Sequence, residues 1–354
     1  MTTTLEQRIA DWDGEGVISR YHRDSGAWIF IALHSSVLGT PTGGTRMKSY
    51  PSPADGLLDA MRLAAGMTHK WAASGFGYGG GKAVLAVPEG LSPERRRSLL
   101  EVYGQLLSTL SGAFATGVDL GTDPEDMVFL RRFSPHVHGV DDAGGAIDPG
   151  PFTARGVLAA MRATTAALDG SPELTDRVLH IQGVGGVGTP LARLAASAGA
   201  RLVLSDIDEA RARVLADELG ADTAPTEPAS SVECDLFAPC AVGGVINEQT
   251  VGDLACRAVV GSANNQLAEA ADAERVAARG ILYCPDYVVN SGGAIAFALI
   301  NQGERDHAVL EAGVARVGDS LAAILAEAAE VGISPAAAAD RIVARALDPG
   351  RSSG

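Results

Sequence analysis

Residues 178–206, VLHIQ-GVGGVG-TPLARLAASAGA-RLVLSD, constrain the fold of this chain more than any other stretch. An apolar run of strand type ends in GxGxxG (Gly183, Gly185, Gly188). A helix-forming run follows, and a second apolar run ends in Asp206, 18 residues after Gly188. That strand, turn, helix and strand is the phosphate-binding half of a dinucleotide fold. The first glycine permits a tight turn, the second lets backbone approach a pyrophosphate, and the third allows the helix to pack on the strand. The free N–H groups and positive dipole at the helix start suit the phosphates. Asp206 is placed to take the ribose hydroxyls of an adenosine and to repel a 2′-phosphate, which favours NAD over NADP. Arg211 is able to accept a 2′-phosphate and keeps that preference open.

Around this motif, strand-like runs alternate with helical ones: CDLFA (234–238), AVVG (258–261) and ILYC (281–284) follow VLHIQ and RLVLS. Such alternation predicts a doubly wound parallel sheet, a Rossmann domain over 141–325. Polar groups (Ser262, Asn264, Asn265, Asn290) stand after its apolar runs, where such sheets bind ligands. Residues 134–151, SPHVHGVDDAGGAIDPGP, are aperiodic and rich in Gly, Pro and Asp, and read as a linker whose His136 and His138 are solvated. The preceding 1–140 read as a mixed α/β domain: a hairpin (17–22 and 27–34), a helix capped by Ser52, a glycine-rich turn at 77–81 entering a short strand, a helix from Ser92 and a short strand ending at Asp119. Thr153 is expected to cap the next helix. The C-terminal helices, 326–354, are expected to pack back on the first domain. The fold class is therefore α/β with two domains, which suits 354 residues.

The net charge of −15 argues against a nucleic-acid backbone or an anionic membrane surface as partner. No run approaches the roughly 18 apolar residues of a membrane helix. The N-terminus lacks the basic and apolar segments of an export signal, so a cytoplasmic protein with reduced cysteines is expected. Arg95, Arg96 and Arg97, flanked by Glu94 and Glu101, read as a solvated helix face.

Lysine is scarce in the first domain, and Lys70 and Lys82 stand 12 residues apart, the second directly after Gly79-Gly80-Gly81. The glycines are read as letting backbone approach a substrate and restricting access to Lys82. A lysine beside another cation in a closed site loses its proton readily and then serves as a general base. Lys70, if it stays charged, would bind a carboxylate, and Asp119 would pass a proton.

At these residues the chain resembles the Glu/Leu/Phe/Val dehydrogenases, the amino-acid dehydrogenases. The matching stretches are GGTRM (43–47), GMTHK (66–70), GGGK (79–82), TGVD (116–119), FTARGV (152–157), QGVGGVG (182–188), FAPCAVGGVIN (237–247), GSANNQ (261–266) and PDYVVNSGG (285–293). They occur in the family's order, and within it the chain looks most like the phenylalanine dehydrogenase branch. The resemblance implies reversible, NAD-dependent oxidative deamination of an L-amino acid to a 2-oxo acid and ammonium. It makes Lys70, with Gly43 and Gly44, the holder of the substrate carboxylate, Lys82 the base and Asp119 the proton carrier. Asn264 would lie where nicotinamide and substrate meet. Thr153, Gly183, Val184, Gly185, Gly186, Val187, Gly188, Asp206, Ile207, Arg211, Ala241, Val242 and Ala263 would line the cofactor site. A homo-oligomer joined through the first domain is also implied.

Gly117 and Ala294 look like the phenylalanine-type choice and open room for a ring, whereas Thr42, Phe297 and Trp71 depart from the pattern of the leucine enzymes. A bulky apolar or aromatic amino acid is the expected substrate. A leucine- or valine-type enzyme is the first alternative, and a non-catalytic NAD-binding regulatory homologue the second.

Overall fold

A computed structural model of the chain describes residues 4–227 and 231–348. The chain divides into two compact units. One runs to Asp148 and takes in the chain from Ala346, and the other is Pro149–Arg345.

The first unit opens with α1 (Leu5–Ala10) and continues through β1 (Gly16–His22), β2 (Ala27–Ser35), β3 (Pro41–Lys48), α2 (Pro53–Ser74), β4 (Gly79–Ala86), α3 (Pro93–Thr109), β5 (Ala115–Val118) and α4 (Pro124–Arg131). Its five strands lie in the order β1-β2-β4-β3-β5. β1, β2 and β4 pair antiparallel, while β3 runs parallel to both β4 and β5. Alternation along β4 sorts its side chains between two layers. Ala83 and Leu85 join the core formed with α3 and α4 (Leu99, Tyr103, Met127, Leu130), and Val84 and Ala86 join the one formed with α2 (Ala60, Met61, Ala64). Ser52 caps α2 by accepting from the Asp55 N–H, and Gly75 ends it in the left-handed conformation. Asp123 and Asp126 close a capping box on α4.

Three expectations change here. Gly79, Gly80 and Gly81 lie inside the fully buried β4, not in a turn. A Cβ on Gly80 would sit 1.9 Å from Thr68 Oγ1 of α2, and one on Gly79 2.1 Å from the Ser35 carbonyl oxygen, so these glycines admit protein neighbours. His138 is buried and edge-on to Tyr78, and burial, with Arg131 and His136 nearby, holds it down at about 4. Arg96 is bonded to Asp126 through both terminal nitrogens, and Arg97 lies over the Phe129 ring at 3.3 Å, so the basic run is engaged with α4.

The second unit comprises α5 (Gly150–Asp169), β6 (Val178–Gln182), α6 (Gly188–Ser197), β7 (Arg201–Ser205), α7 (Glu209–Leu219), β8 (Asp222–Thr223), β9 (Cys234–Pro239), β10 (Cys256–Val259), α8 (Ala271–Ala278), β11 (Leu282–Tyr283), α9 (Asp286–Val289), α10 (Gly292–Asn301), α11 (His307–Val331) and most of α12 (Pro335–Leu347). Its six strands are all parallel, in the order β11-β10-β9-β6-β7-β8. The order reverses direction beside β6, the arrangement of a Rossmann sheet. The C-terminal helices group with this unit and not, as expected, with the first. α11 lies along α5, Ser334 donates to Glu274 of α8 at 2.5 Å, and Ala336 packs on the Val259, Ile281 and Tyr283 core. The small-residue stripe of α11 explains this: Gly318 lies so close to α5 that an added Cβ would be 3.0 Å from the Ala159 carbonyl oxygen. Thr153 sits inside the first turn of α5, where it donates back to the Pro149 carbonyl and does not cap. Among the described residues no single helix is long and apolar enough to cross a membrane.

Candidate active site

In the first unit the α2-facing side of the sheet gathers the chemistry. Gly44 and Arg46 of β3 share this face with Lys82 of β4, and Asp119 follows β5 directly. Lys82 Nζ lies 3.3 Å from Asp119 Oδ2, and Arg46 Nε donates to the same oxygen at 2.8 Å. Gly44 makes the approach possible, since a Cβ there would stand 2.8 Å from Asp119 Cβ and 3.3 Å from Lys82 Nζ. Arg46 Nη1 reaches Asp59 Oδ2 of α2 at 3.1 Å. Asp59 is fixed in turn by the Tyr50 hydroxyl and by Arg62 Nη2, both at 2.7 Å. The Thr122 hydroxyl accepts from the Asp119 N–H and donates to the Thr45 carbonyl, which fixes the turn after β5.

All four central side chains are withdrawn from water: Lys82 is 6% exposed, Arg46 11%, and Asp59 and Asp119 14% each. Burial pushes Lys82 below the usual lysine range; the Asp119 charge opposes this and the Arg46 charge adds to it. Burial by itself would raise Asp119, but the Lys82 and Arg46 charges and hydrogen bonds overcome it and bring the carboxyl down to about 2. A lysine inclined to lose its proton thus stands beside a carboxylate that keeps its charge. That pairing can accept and hand on protons.

Lys70 is half-buried on α2, the helix that covers this face. The neighbouring Trp71 is fully buried, donates from Nε1 to the Thr42 carbonyl at 3.0 Å, and packs against Phe76 and Tyr78. Thr42 itself is buried and donates to the Thr40 carbonyl. The two departures noted in this region are therefore one packing unit. Gly43 and Gly117 are both buried, and a Cβ on Gly43 would overlap the Gly81 carbonyl oxygen at 1.9 Å. Arg46 and Asp59 received no role from the sequence. The available signal was a charged residue two positions after Gly44 in a strand, where alternation returns it to the face of Lys82.

In the second unit the turn after β6 meets the demands of a pyrophosphate. Gly183 has φ +96°, and a Cβ there would strike Ala241 at 2.7 Å. A Cβ on Gly188 would sit 1.8 Å from the Gly183 carbonyl oxygen, whereas Gly185 and Gly186 open to space with nothing within 4 Å. No side chain caps α6 at Val187; the Thr189 N–H donates to the Gly185 carbonyl at 3.0 Å and Pro190 has no N–H, which leaves the turn N–H groups ahead of Thr189 to a ligand. Asp206 Oδ2 accepts from the Val184 N–H at 2.8 Å and Oδ1 from the Asp208 N–H at 2.9 Å. Burial would raise Asp206, but the Arg211 hydrogen bond and these N–H groups hold it below the ordinary carboxylate range. Arg211 Nη2 donates to Asp206 Oδ1 at 2.6 Å, so the cation considered for a 2′-phosphate is engaged by the acid that would repel one. Ile207 and Val242 are 89% and 64% exposed and offer apolar surface next to this turn. The residues present fit a dinucleotide: two open glycines, an uncapped helix start and an anchored acid.

The strand ends nearby assemble further candidates. The Ala263 N–H donates to the Pro239 carbonyl, joining the loop after β10 to the end of β9. Asn290 Nδ2 donates to Asn264 Oδ1 at 2.8 Å and to the Ser262 carbonyl at 3.2 Å. With its oxygen so occupied, Asn264 presents its amide N–H groups. Gln266, fully buried, ties the Gly261 and Ala263 carbonyls together. Thr153 lies against the start of α10, where a Cβ on Gly293 would be 2.6 Å from its hydroxyl. Ala294 is half-buried and Phe297 buried on α10.

Residues 19–134 match the family model described as Glu/Leu/Phe/Val dehydrogenase, dimerisation domain, and residues 204–316 match Glutamate/Leucine/Phenylalanine/Valine dehydrogenase. The chain is 40% identical to a valine dehydrogenase of Streptomyces albus, over 96% of this chain and 93% of that one. It is 39% identical to a phenylalanine dehydrogenase of Thermoactinomyces intermedius, over 94% and 91%. Its fold is similar to the crystal structure of an L-tryptophan dehydrogenase from Nostoc punctiforme, with a TM-score of 0.83 and 31% identity, covering 98% of this chain and 100% of that one.

Proposed function

Because the chain belongs to the Glu/Leu/Phe/Val dehydrogenase family, we propose that Lys70, Lys82 and Asp119 carry the oxidative deamination of a bulky apolar or aromatic L-amino acid. The protein is an amino-acid dehydrogenase and its cofactor is NAD. The observation that supports these roles above all others is the buried contact of Lys82 with Asp119.

Lys70, with the narrow backbone at Gly43 and Gly44, holds the substrate carboxylate. Asn264, oriented by Asn290, contacts the substrate. The turn from Gly183 through Val184, Gly185, Gly186 and Val187 to Gly188 would hold the pyrophosphate, and Asp206 the adenosine ribose. Thr153, Ile207, Ala241, Val242 and Ala263 line the rest, with Arg211 over Asp206. Bound NAD supplies the acceptor for the hydride that leaves the substrate Cα. Water then adds to the resulting imine carbon. Lys82, unprotonated, takes the proton from that water as the C–O bond forms. Asp119, which as a carboxylate takes a proton from the substrate ammonium before the hydride leaves, returns it to the nitrogen; the C–N bond then breaks, the hydroxyl proton goes to the departing ammonia to give ammonium, Lys82 releases its proton to solvent, and the 2-oxo acid remains. Since Lys82 acts only without its proton, deamination rises with pH through its ionisation, below the usual 10.5, while Asp119, at about 2, is already charged when the substrate arrives.

The small residues Gly117 and Ala294 support a ring-sized side chain, and no cation stands among the matched pocket positions to take a second carboxylate. The near-equal identity to valine and phenylalanine enzymes gives an aliphatic substrate a comparable claim. A pocket of this kind separates side chains by only about 1–3 kcal/mol per methylene. The match of residues 19–134 to a dimerisation domain supports a homo-oligomer. NADH formation across a panel of L-amino acids decides the side chain. Phenylalanine turned over faster than leucine and valine is the expected result, and the reverse order assigns the aliphatic substrate. No turnover on any amino acid, with NAD still bound, would make the protein a regulatory homologue.

A further inference from the structure

Resting on the reading of Lys82 as the base, we propose that Arg46 is a positioning residue, a fixed counter-charge that keeps Asp119 ionised at the moment Lys82 gives up its proton. Asp119 Oδ2 is approached by Arg46 Nε at 2.8 Å and by Lys82 Nζ at 3.3 Å. A buried lysine and carboxylate left to themselves have a simple escape: the proton crosses, both charges vanish, and the cost of burying them disappears. That escape would protonate Asp119 in advance and leave no carboxylate to take the proton of the substrate ammonium.

A guanidinium cannot make that transfer, because it keeps its proton at any accessible pH. With Arg46 in place, Asp119 still has a partner after Lys82 becomes neutral. The same charge repels a proton on Lys82. Arg46 therefore favours the state the mechanism requires, neutral amine beside charged carboxylate, over either alternative.

The surroundings show a residue held for this purpose. Arg46 is pinned through Nη1 by Asp59, which Tyr50 and Arg62 also hold. β3 places Arg46 two residues after Gly44, the position whose missing side chain lets Lys82 and Asp119 meet. The charged and titratable groups set around Lys82 are Arg46 from β3, Asp119 after β5 and Asp59 from α2, with Tyr50 and Arg62 behind Asp59 and Lys70 farther along α2. Among them Arg46 and Asp119 act most strongly on Lys82.

The test follows Lys82 by the pH dependence of its acylation by an amine reagent, alongside the pH profile of kcat/KM for deamination. In Arg46→Gln the ionisation of Lys82 and the acid limb of the profile move up together by about one pH unit or more, and activity lost near neutrality returns at higher pH. Arg46→Lys keeps the charge and restores the position of the limb. An unmoved limb in Arg46→Gln, or activity lowered equally at every pH, overturns the proposal. Should Arg46→Gln fail to fold, the charge-balanced pair Arg46→Gln with Asp59→Asn removes both buried partners. It is expected to show the same upward shift at smaller size, and no shift again overturns it. Lys82→Ala separates the two levels of inference. If it retains turnover, the base assignment itself falls. If it is inert while the Arg46 variants titrate as wild type, only the role of Arg46 falls.

Discussion

A Cβ added at Gly44 would press on Asp119 and on the Lys82 amine, whereas one added at Gly185 would meet nothing within 4 Å. The two units use glycine for opposite ends. In the first unit its absence of a side chain lets other side chains come together, and the working parts are charges held out of water. In the second it leaves space for a ligand, and the working parts are backbone N–H groups, an uncapped helix start and one anchored acid. Damage to the first should therefore appear as lost chemistry or lost stability, and damage to the second as lost cofactor affinity.

The sharpest break of that contrast is Gly44→Ala. The methyl would meet the Val118 carbonyl oxygen as well as Asp119, each at 2.8 Å, and neither can yield without moving the reacting pair. Displacement on this scale is worth about 10²-fold in kcat, while NAD affinity measured by fluorescence titration is expected to stay as it was. Gly80→Ala tests the claim that the β4 glycines admit α2. Overlap with the Thr68 side chain and backbone should destabilise the fold by about 1–3 kcal/mol, which thermal or denaturant unfolding reads directly. Unchanged stability would return these glycines to a role at the substrate. Gly185→Ala belongs to the other half of the comparison. It should raise the KM for NAD by about tenfold, with kcat and melting temperature nearly unchanged, because the methyl enters only the space meant for pyrophosphate. The smallest effect concerns the thiols. Burial pushes Cys234, Cys256 and Cys284 up to about 12 and raises Cys240 also. Alkylating reagent at mild pH should leave the native protein active, and rapid inactivation would show that one of these thiols is reachable.

The same contrast explains what the sequence made legible. The dinucleotide site is local: turn, helix and acid lie within residues 183–206, and the spacing carries the geometry. The Lys82 site is assembled from positions 44, 46, 59, 82 and 119, which only the pairing of β3 with both β4 and β5 and the packing of α2 on that sheet bring together. Lys82 and Asp119 were visible through their motifs. Arg46 was marked only by its alternation with Gly44 along β3, and Asp59 by nothing, because a salt bridge between a strand and a helix leaves no shared periodicity to read. The glycine run before Lys82 was misread for a related reason: composition marks a close approach but does not say what approaches. The C-terminal helices were misassigned because an apolar, small-residue helix such as α11 states that it packs closely and is silent about its partner.

The measurement that bears most directly on the whole account is turnover of Lys82→Ala together with its NAD affinity, on protein shown to be folded. Loss of a general base from a closed site should lower turnover by about 10²- to 10⁴-fold, with NAD bound as tightly as before. Turnover within a few-fold of the unmodified protein would contradict the account, for the buried amine would then have no part in the chemistry.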